Sequence, residues 1–152
     1  MPGEITVRTE AADSLVAVRL VEAMVAEMGV LYGPGDMPTS ASPEELSPPA
    51  GAFVVVWEDG RPVAGGGVKR LEEGVGEIKR MFVVPEARSQ GHARRLLEGI
   101  EDAARGLGFG RVRLDTGAEQ PHAVALYESA GYRKVADYND NPLAAYWGEK
   151  RL

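Results

Sequence analysis

The stretch "RSQGHA", residues 88–93, stands where a predicted strand ends and a predicted helix begins. The first amides of a helix have no partner inside the helix, and the helix dipole adds about half a positive charge there. Gly91 lets the backbone approach a ligand closely, and Arg88 carries a forked cation that suits phosphate oxygens. These residues predict an anion site, most naturally for a pyrophosphate. The alternative is that Gly91 is an ordinary loop residue and Arg88 a solvated charge.

Two other phosphate-binding patterns fit this stretch less well. The G-x-x-x-x-G-K-[ST] loop of ATP- and GTP-binding proteins is absent from the sequence. The dinucleotide fingerprint needs three glycines in G-x-G-x-x-G, and this loop has only Gly91. Asp115, at the end of the next predicted strand, could imitate the ribose-binding acid of that fold, so a dinucleotide site stays open as the weaker alternative.

Composition and charge exclude several functional classes. The chain has 152 residues, of which 44% are hydrophobic, so we expect one globular domain spanning residues 1–152. The net charge of −6 argues against nucleic acid or an anionic membrane as the main partner, because both need a basic surface. The absence of cysteine excludes disulfides, thiolate metal sites and a cysteine nucleophile. No apolar run approaches the ~18 residues of a membrane span and no signal-peptide pattern is present, so we expect a cytoplasmic protein.

The sequence of the N-terminal half predicts a strand, then a helix, and then two strands that form a hairpin. The pattern gives a strand over residues 4–10, a helix capped by Asp13 or Ser14, a proline-rich loop over 33–50, and hairpin strands over 52–57 and 63–71. Three consecutive glycines, residues 65–67, interrupt the second hairpin strand. They predict a bulge or a close approach by another backbone or a ligand.

The C-terminal half predicts a strand–helix–strand unit followed by a short helix and a hairpin. Its predicted elements are a strand over 75–84, a helix over 93–107, a strand over 111–117, a helix over 121–130, and closing strands over 133–138 and 143–150. A strand–helix–strand unit implies parallel strands with a right-handed crossover. We therefore expect an α/β (α+β) fold, with a mixed sheet of about six or seven strands and helices on both faces.

Two motifs together resemble a known superfamily. R-x-x-G-x-A at residues 88–93, ahead of an amphipathic helix, is similar to the acetyl-CoA signature of the GNAT superfamily of N-acetyltransferases. The stretch "AVALYESAGY", residues 123–132, resembles the second signature of that superfamily, a helix carrying Leu-Tyr before a Gly-aromatic turn. The resemblance covers nearly the whole chain and is firmest over residues 75–132.

The resemblance implies how acetyl-CoA would bind as cosubstrate. In this superfamily the fourth and fifth strands splay apart, and pantetheine lies in the gap and pairs with the fourth strand. The matching residues here are Met81, Phe82 and Val83 for pantetheine, and Arg88, Ser89, Gln90, Gly91, His92 and Ala93 for the pyrophosphate. Gln120 stands where many members have an asparagine, which weakens the contact expected there.

The resemblance also implies direct transfer of an acetyl group to an amine. An alkylamine is almost wholly protonated at pH 7, so a base helps, and Glu77 lies in the strand where the superfamily often carries a glutamate. A backbone N–H at or near Met81 would meet the oxyanion, and Tyr127 stands at the place of the general-acid tyrosine, close to the cosubstrate sulfur. Structural alternatives stay open: Glu77 could face solvent or pair with Lys79 or Arg80, and Tyr127 could be a core residue.

The acceptor is predicted to bind among the first helix and the loop at 29–50, the hairpin 58–72, the strand 75–84 and the final hairpin. The candidate lining residues are Tyr32, Met37, Arg80, Tyr138, Asn139 and Tyr146. Arg80 could meet the carboxylate of an amino-acid-like substrate, or it could be a surface charge. Because strand side chains alternate, Glu77 and Arg80 are expected on opposite faces unless a bulge intervenes.

A small-molecule amine is the expected partner, with no nucleic acid and no membrane. A protein N-terminus or lysine is the second option for the acceptor, and a non-catalytic acetyl-CoA sensor is a third reading of the chain. A homodimer is one option for its assembly. His92 and His122 are the only histidines and lack carboxylates at metal-binding spacing, so no metal is predicted. Ser89 has no partner histidine in a nucleophile pattern, which argues against a covalent serine mechanism.

Overall fold

The structure, a computed structural model, describes residues 3–33, 41–118 and 120–152. Their elements in chain order are β1 (Ile5–Glu10), α1 (Leu15–Tyr32), β2 (Gly51–Glu58), β3 (Arg61–Glu72), β4 (Val75–Val83), a 3-10 turn (Pro85–Ala87), α2 (His92–Gly106), β5 (Arg111–Gly117), α3 (Pro121–Ser129), β6 (Arg133–Lys134) and β7 (Ala144–Arg151). In this part of the chain, seven strands form one sheet in the order β1-β2-β3-β4-β5-β7-β6.

The predicted strand–helix–strand unit is present at the centre of the sheet. β4 and β5 are parallel neighbours joined by α2, whereas every other neighbouring pair of strands is antiparallel. The expected mixed sheet is therefore confirmed. Parallel strands need a crossover to bring the chain back, and the apolar stripe of α2 buries itself against the sheet as it makes that crossing.

Helices cover both faces of the sheet, as β2 makes clear. Val54 packs with Leu97 of α2 in the larger core cluster. The adjacent residue, Phe53, packs with Leu20 of α1 in a second cluster. Adjacent strand side chains point to opposite faces, so α1 and α2 lie on opposite sides. Each such buried apolar side chain contributes about 1.5–3 kcal/mol to stability.

The helix that begins near Asp13 uses the second of its two predicted caps. The Ser14 hydroxyl accepts a hydrogen bond of 3.2 Å from the Ala17 amide, which satisfies one of the unpaired donors of the first turn. The helix continues through Gly29 and ends at Gly33, whose φ of 93° lies in the region that favours glycine. The last turn of α1 therefore lies beside the C-terminal end of β5.

The glycines of β3 let neighbouring elements approach the sheet. A Cβ on Gly65 would lie 2.7 Å from Leu20 of α1, and a Cβ on Gly66 would lie 3.0 Å from the Cα of Met81 on β4. The pairing of β3 with β4 shifts its register between Gly65 and Gly67. The predicted bulge with close backbone approach is confirmed.

The first closing strand is much shorter than predicted. The sequence pattern predicts a strand over residues 133–138, but β6 spans only Arg133–Lys134. The Asp137 carboxylate accepts hydrogen bonds of 3.0 Å from the Asn139 amide and 2.8 Å from the Asp140 amide. This local turn chemistry competes with strand pairing and takes the chain out of the sheet, which leaves the Asn139 side chain free to reach the ends of other strands.

Candidate active site

The parallel strands β4 and β5 pair only at their beginnings. Their pairs run from Val75 with Arg111 to Glu77 with Arg113. Beyond that point β5 stays paired with β7, and the β5-facing edge of residues 78–83 has no strand partner in the described chain. The predicted splay is therefore present, and it leaves backbone groups of β4 available to an extended ligand.

A β-bulge in β4 lies within this gap. Two residues, Arg80 and Met81, stand opposite the single Gly66 of β3. Arg80 has a φ of 61°, in the left-handed region that is unfavourable for residues with a side chain. Such strain persists only where surrounding structure imposes it, and it is commonest at functional sites.

The bulge brings Arg80 to the same face of the sheet as Glu77. An Nη2 group of Arg80 donates to the Ala41 carbonyl at 2.8 Å, and Ala41 belongs to the core cluster on the α1 side. Glu77 pairs across the sheet with Lys69, whose ammonium binds Glu45 at 3.0 Å on that side too. The exception allowed for in the sequence applies here, because the bulge shifts the alternation of side chains by one residue.

The predicted phosphate loop offers a row of free amides. Ser89 and Gly91 have φ values of 64° and 84°, which turn the backbone sharply before α2. The amides of Ser89, Gln90 and Gly91 donate to no other residue within the ranges that the structure describes. His92 and Ala93 open α2, so their amides also lack partners inside the helix. Together these N–H groups can bind an anion.

Arg88 is held by other residues beside this loop. Its Nη2 lies 2.6 Å from a carboxylate oxygen of Glu27 on α1, and its Nε donates to the Val83 carbonyl at 2.9 Å. The centre of its guanidinium is 5.4 Å from the centre of the Phe82 ring. The side chain predicted to meet phosphate is thus already paired with a carboxylate, and it ties α1 to the end of β4.

Arg95 is a second cation at the loop, and sequence reasoning missed it. Its Nη1 donates to the Gln90 carbonyl at 2.8 Å, and a Cβ on Gly91 would lie 3.4 Å from the same nitrogen. The buried ring of His92 has Nδ1 3.3 Å from that nitrogen and Nε2 3.8 Å from the Glu58 carboxylate. The signal available in the sequence was the spacing, because residues four apart lie on one helix face.

Tyr127 on α3 faces β4 across the gap. Its hydroxyl donates to the Met81 sulfur at 3.8 Å, and its ring packs 5.9 Å from that of Tyr132 between centroids. Burial first, and then the nearby charge of Asp115, raise the pKa of Tyr127 to about 12. The residue is both part of the main core cluster and a protonated donor at neutral pH.

A polar network connects β4, β5 and β7 at the start of the splay. The buried Glu77 carboxylate lies 3.4 Å from the Lys79 ammonium and accepts a hydrogen bond of 3.1 Å from Asn139 Nδ2. The same Nδ2 donates to Asp115. Trp147 Nε1 donates to Asn139 Oδ1 at 2.9 Å, which determines that the amide nitrogen faces the two carboxylates.

Asp115, which the sequence suggested only as a ribose-binding acid, belongs to this network, and sequence reasoning did not predict that role. It also accepts a hydrogen bond of 3.3 Å from Asn141 Nδ2. The signal was its position at the carboxyl end of a parallel strand, where ligands of α/β sheets bind. The buried hydroxyl of Tyr146 nearby lacks a hydrogen-bond partner within the described ranges. Burial, followed by the charge of Glu77, raises the pKa of Tyr138.

The remaining candidate residues fall at the far end of β5. Tyr32, in the last turn of α1, lies against this end, since a Cβ on Gly117 would overlap its hydroxyl. Gln120 accepts a hydrogen bond of 3.4 Å from the Thr116 hydroxyl at the start of α3. Met37 lies outside the described residues. Within the described part of the chain, no group of three or more acidic or histidine side chains could hold a metal ion.

Comparison with known proteins identifies the family. The model of the acetyltransferase (GNAT) family matches residues 18–132. The chain belongs to the GNAT family. It is therefore an acyl-CoA-dependent N-acetyltransferase, as the two signature motifs imply. A protein named IAA acetyltransferase from Azospirillum brasilense is 34% identical over 146 residues, covering 93% of this chain and 95% of that protein.

Solved GNAT structures share the fold over almost the full chain. A Klebsiella pneumoniae protein, solved as a candidate acyl-CoA N-acyltransferase, superposes with a TM-score of 0.77 at 28% identity, covering 97% of each chain. PaiA N-acetyltransferase from Thermoplasma acidophilum, solved with coenzyme A, superposes with a TM-score of 0.70 at 16% identity and covers 98% of this chain and 99% of its own. Among the described helices, none is long and apolar enough to span a membrane.

Proposed function

We propose that this chain transfers the acetyl group of acetyl-CoA directly to the primary amine of a small molecule. The observation that carries the proposal is the Tyr127 hydroxyl, which faces Met81 across the gap between β4 and β5 at 3.8 Å. A protonated donor on one side of the gap and unpaired backbone on the other suit a thioester held between them.

The residues proposed to hold acetyl-CoA surround that gap. The free edge of Met81, Phe82 and Val83 suits the amide groups of pantetheine, and the amides of residues 89–93 suit the pyrophosphate. Arg95 adds a cation beside Gly91. Gln120 is kept as a weaker contact, because its side chain already accepts a hydrogen bond within the protein. The coenzyme A complex of the PaiA structure, which shares this fold, supports the assignment.

The network around Glu77 is proposed to receive the proton of the incoming ammonium. A carboxylate has about four lone-pair sites, and Lys79 and Asn139 account for two of those of Glu77. Asp115, linked through Asn139, offers a second carboxylate at the same place. Either can take a proton directly or through water, so that a neutral nitrogen attacks the thioester carbonyl carbon.

The bonds and protons of the transfer then balance as follows. The C–N bond forms, the C–S bond breaks, and the nitrogen gives up its second proton to the carboxylate network. The thiolate takes one proton from Tyr127, which regains a proton from the medium. For an ammonium acceptor the net result is an acetamide, free coenzyme A and one released proton. A thiolate with a pKa near ~8.5 leaves readily, so Tyr127 assists the step without being indispensable.

A small acceptor is favoured over a peptide by a relative of similar length and by the contact of α1 with β5. The Azospirillum relative, named IAA acetyltransferase, aligns over nearly the whole of both chains. Tyr32 lies against Gly117, so the last turn of α1 contacts the end of β5 beside the proposed site. A protein N-terminus or lysine remains the alternative acceptor, and an acetyl-CoA sensor the alternative of a different class.

One experiment separates these functions. Purified protein is incubated with acetyl-CoA and a panel of small amines, amino acids and peptides, while released thiol and acetylated product are measured. Coenzyme A binding is measured in parallel by calorimetry. We expect acetylation of a small amine at least tenfold above the background reaction, a difference of about 1.4 kcal/mol in barrier. Acetylation of peptides alone would replace the proposal by the peptide function, and binding without any transfer would favour the sensor.

A further inference from the structure

Arg80 is half-buried, and among the residues that the structure describes it has no carboxylate partner. Its only hydrogen bond within the described ranges is the one of 2.8 Å to the Ala41 carbonyl, and it forms no ion pair there. Its Nε is buried without a hydrogen-bond partner. A guanidinium has five N–H donors, so this side chain keeps most of its donor capacity unused. Burial alone accounts for the lowered pKa of Arg80.

The neighbouring cations on the same face are all paired. The Lys79 ammonium lies 3.4 Å from Glu77, and Lys69 lies 3.0 Å from Glu45. The chain has 23 acidic residues against 17 lysines and arginines, so carboxylates are not scarce. An unpaired cation that is partly withdrawn from water destabilises the fold, and it is retained where a ligand completes it.

The position of Arg80 places this cation at the reacting centre. It is the first residue of the β4 bulge, and the second, Met81, is the residue that meets the Tyr127 hydroxyl. The bulge turns Arg80 to the face that also carries Glu77. The bond to Ala41 uses one N–H of Nη2, while the Nη1 group has no hydrogen-bond partner within the described ranges and can meet a ligand. That arrangement suits bidentate binding of a carboxylate.

Building on the proposed acetyl transfer, we propose that the acceptor is an amino acid or a similar amine carrying a carboxylate, and that Arg80 binds that carboxylate. The acceptor then lies with its anionic end on Arg80 and its amine directed toward Glu77 and Asp115. The arrangement selects for a molecule with opposite charges at its two ends. Arg80 is in this role a specificity-determining residue.

The test compares acceptors that differ only at the carboxylate. Each α-amino acid and short ω-amino acid is assayed beside its carboxamide, with phosphoethanolamine as a third anionic amine. We expect the parent protein to prefer the acid over the amide by about 10- to 100-fold in kcat/KM, the range of one or two charge-assisted hydrogen bonds. In Arg80→Gln the KM for the acid should rise by about the same factor, with the KM for acetyl-CoA changed less than about twofold.

Two further variants make the outcome specific. Arg80→Lys keeps the charge without the fork and should restore only part of the preference. Arg70→Gln, on the neighbouring strand β3, removes an arginine whose guanidinium lies 5.5 Å from the Phe109 ring, and should leave the preference unchanged. If Arg80→Gln does not fold, the acid–amide comparison in the parent protein still tests the carboxylate inference, and Arg80→Lys still tests the role of Arg80.

Each result of this test points one way. Equal use of acid and amide by the parent would overturn the carboxylate inference and leave small-amine acetylation standing. A preference that survives Arg80→Gln would overturn the role of Arg80. A stronger reaction with phosphoethanolamine than with any amino acid would replace the carboxylate by a phosphate. Failure to acetylate any small amine, despite acetyl-CoA binding, would overturn the proposed function itself.

Discussion

The Tyr127 hydroxyl on α3 and the Met81 sulfur on β4 face each other at 3.8 Å across the opening between the parallel strands. The two residues are far apart in sequence, and their contact exists because β5 turns away from β4 after Glu77. Met81 is also the second residue of the bulge. This one irregularity in β4 therefore determines the direction of both its side chain and its backbone amide. A thioester held along β4 would lie within reach of the phenol.

Loss of the Tyr127 hydroxyl should act on turnover more than on binding. Tyr127→Phe keeps the ring packed against Tyr132 and deletes one weak donor. We expect turnover to fall by roughly 10- to 10³-fold and acetyl-CoA affinity to change by less than about threefold, because the phenol helps only as the thiolate forms. Steady-state kinetics with a competent amine and calorimetry with coenzyme A measure the two effects. Turnover equal to that of the parent would make Tyr127 a packing residue.

The same residue should make stability sensitive to alkaline pH. The folded pKa of about 12 lies above the value near 10 of an unfolded tyrosine. A raised pKa contributes stability that is fully present below pH ~10 and is lost as pH rises toward 12. Over that window we expect the parent to lose about 2 kcal/mol relative to Tyr127→Phe. Denaturant melts of both proteins from pH 8 to 12 measure this difference, and parallel profiles would contradict it.

Coenzyme A affinity should depend on the backbone at Gly91. Gly91→Glu puts a side chain and a negative charge where the loop amides converge, so we expect affinity to fall more than tenfold, or more than ~1.4 kcal/mol. Gly108→Glu is the matched control, since Gly108 has a similar φ of 89° against 84° for Gly91, and a Cβ there would meet nothing within 4 Å. Both variants carry the same backbone strain. Unchanged affinity in a folded Gly91→Glu protein would remove the phosphate-loop assignment.

The two carboxylates bridged by Asn139 can be told apart by pH profiles. If Glu77 takes the proton, Glu77→Gln should lower the rate most below the pKa of the acceptor amine and be partly rescued at high pH, where neutral amine is abundant. Asp115→Asn should show the smaller effect. The reverse order would transfer the role to Asp115, and two unshifted profiles would indicate that the enzyme simply selects the neutral amine. Glu73→Gln, in the turn before β4, serves as the control.

The bulge should depend on the missing side chain at Gly66. A Cβ there would lie 3.0 Å from the Met81 Cα and 3.2 Å from Ile100, so Gly66→Ala must displace β4 or α2. We expect a stability loss of about 1–3 kcal/mol and a larger proportional loss of turnover than of coenzyme A affinity. Gly106→Ala, whose Cβ would meet nothing within 4 Å, should change neither turnover nor affinity. Full activity in Gly66→Ala would show that the geometry of the bulge is not needed.

The sequence alone was sufficient to predict those features of the fold that local interactions determine. The apolar stripe of α2, the caps and the turn residues predicted nearly every element, and the strand–helix–strand order predicted the parallel pair. The exception, residues 133–138, failed because side-chain to backbone bonds of Asp137 outweighed strand propensity. The two signature motifs were sufficient to predict the family, since both are short stretches within the residues that the family model matches.

Tertiary structure alone decided which side chains meet. Arg88 pairs with Glu27, which lies 61 positions earlier in the chain. Asn139, in the loop before β7, joins Glu77 of β4 to Asp115 of β5. No spacing in the sequence encodes such contacts, because they depend on how elements pack after each has formed. The bulge at Arg80 is the clearest case. Strict alternation places Arg80 away from Glu77, and one extra residue in β4, admitted by the bare backbone of Gly66, brings both to one face.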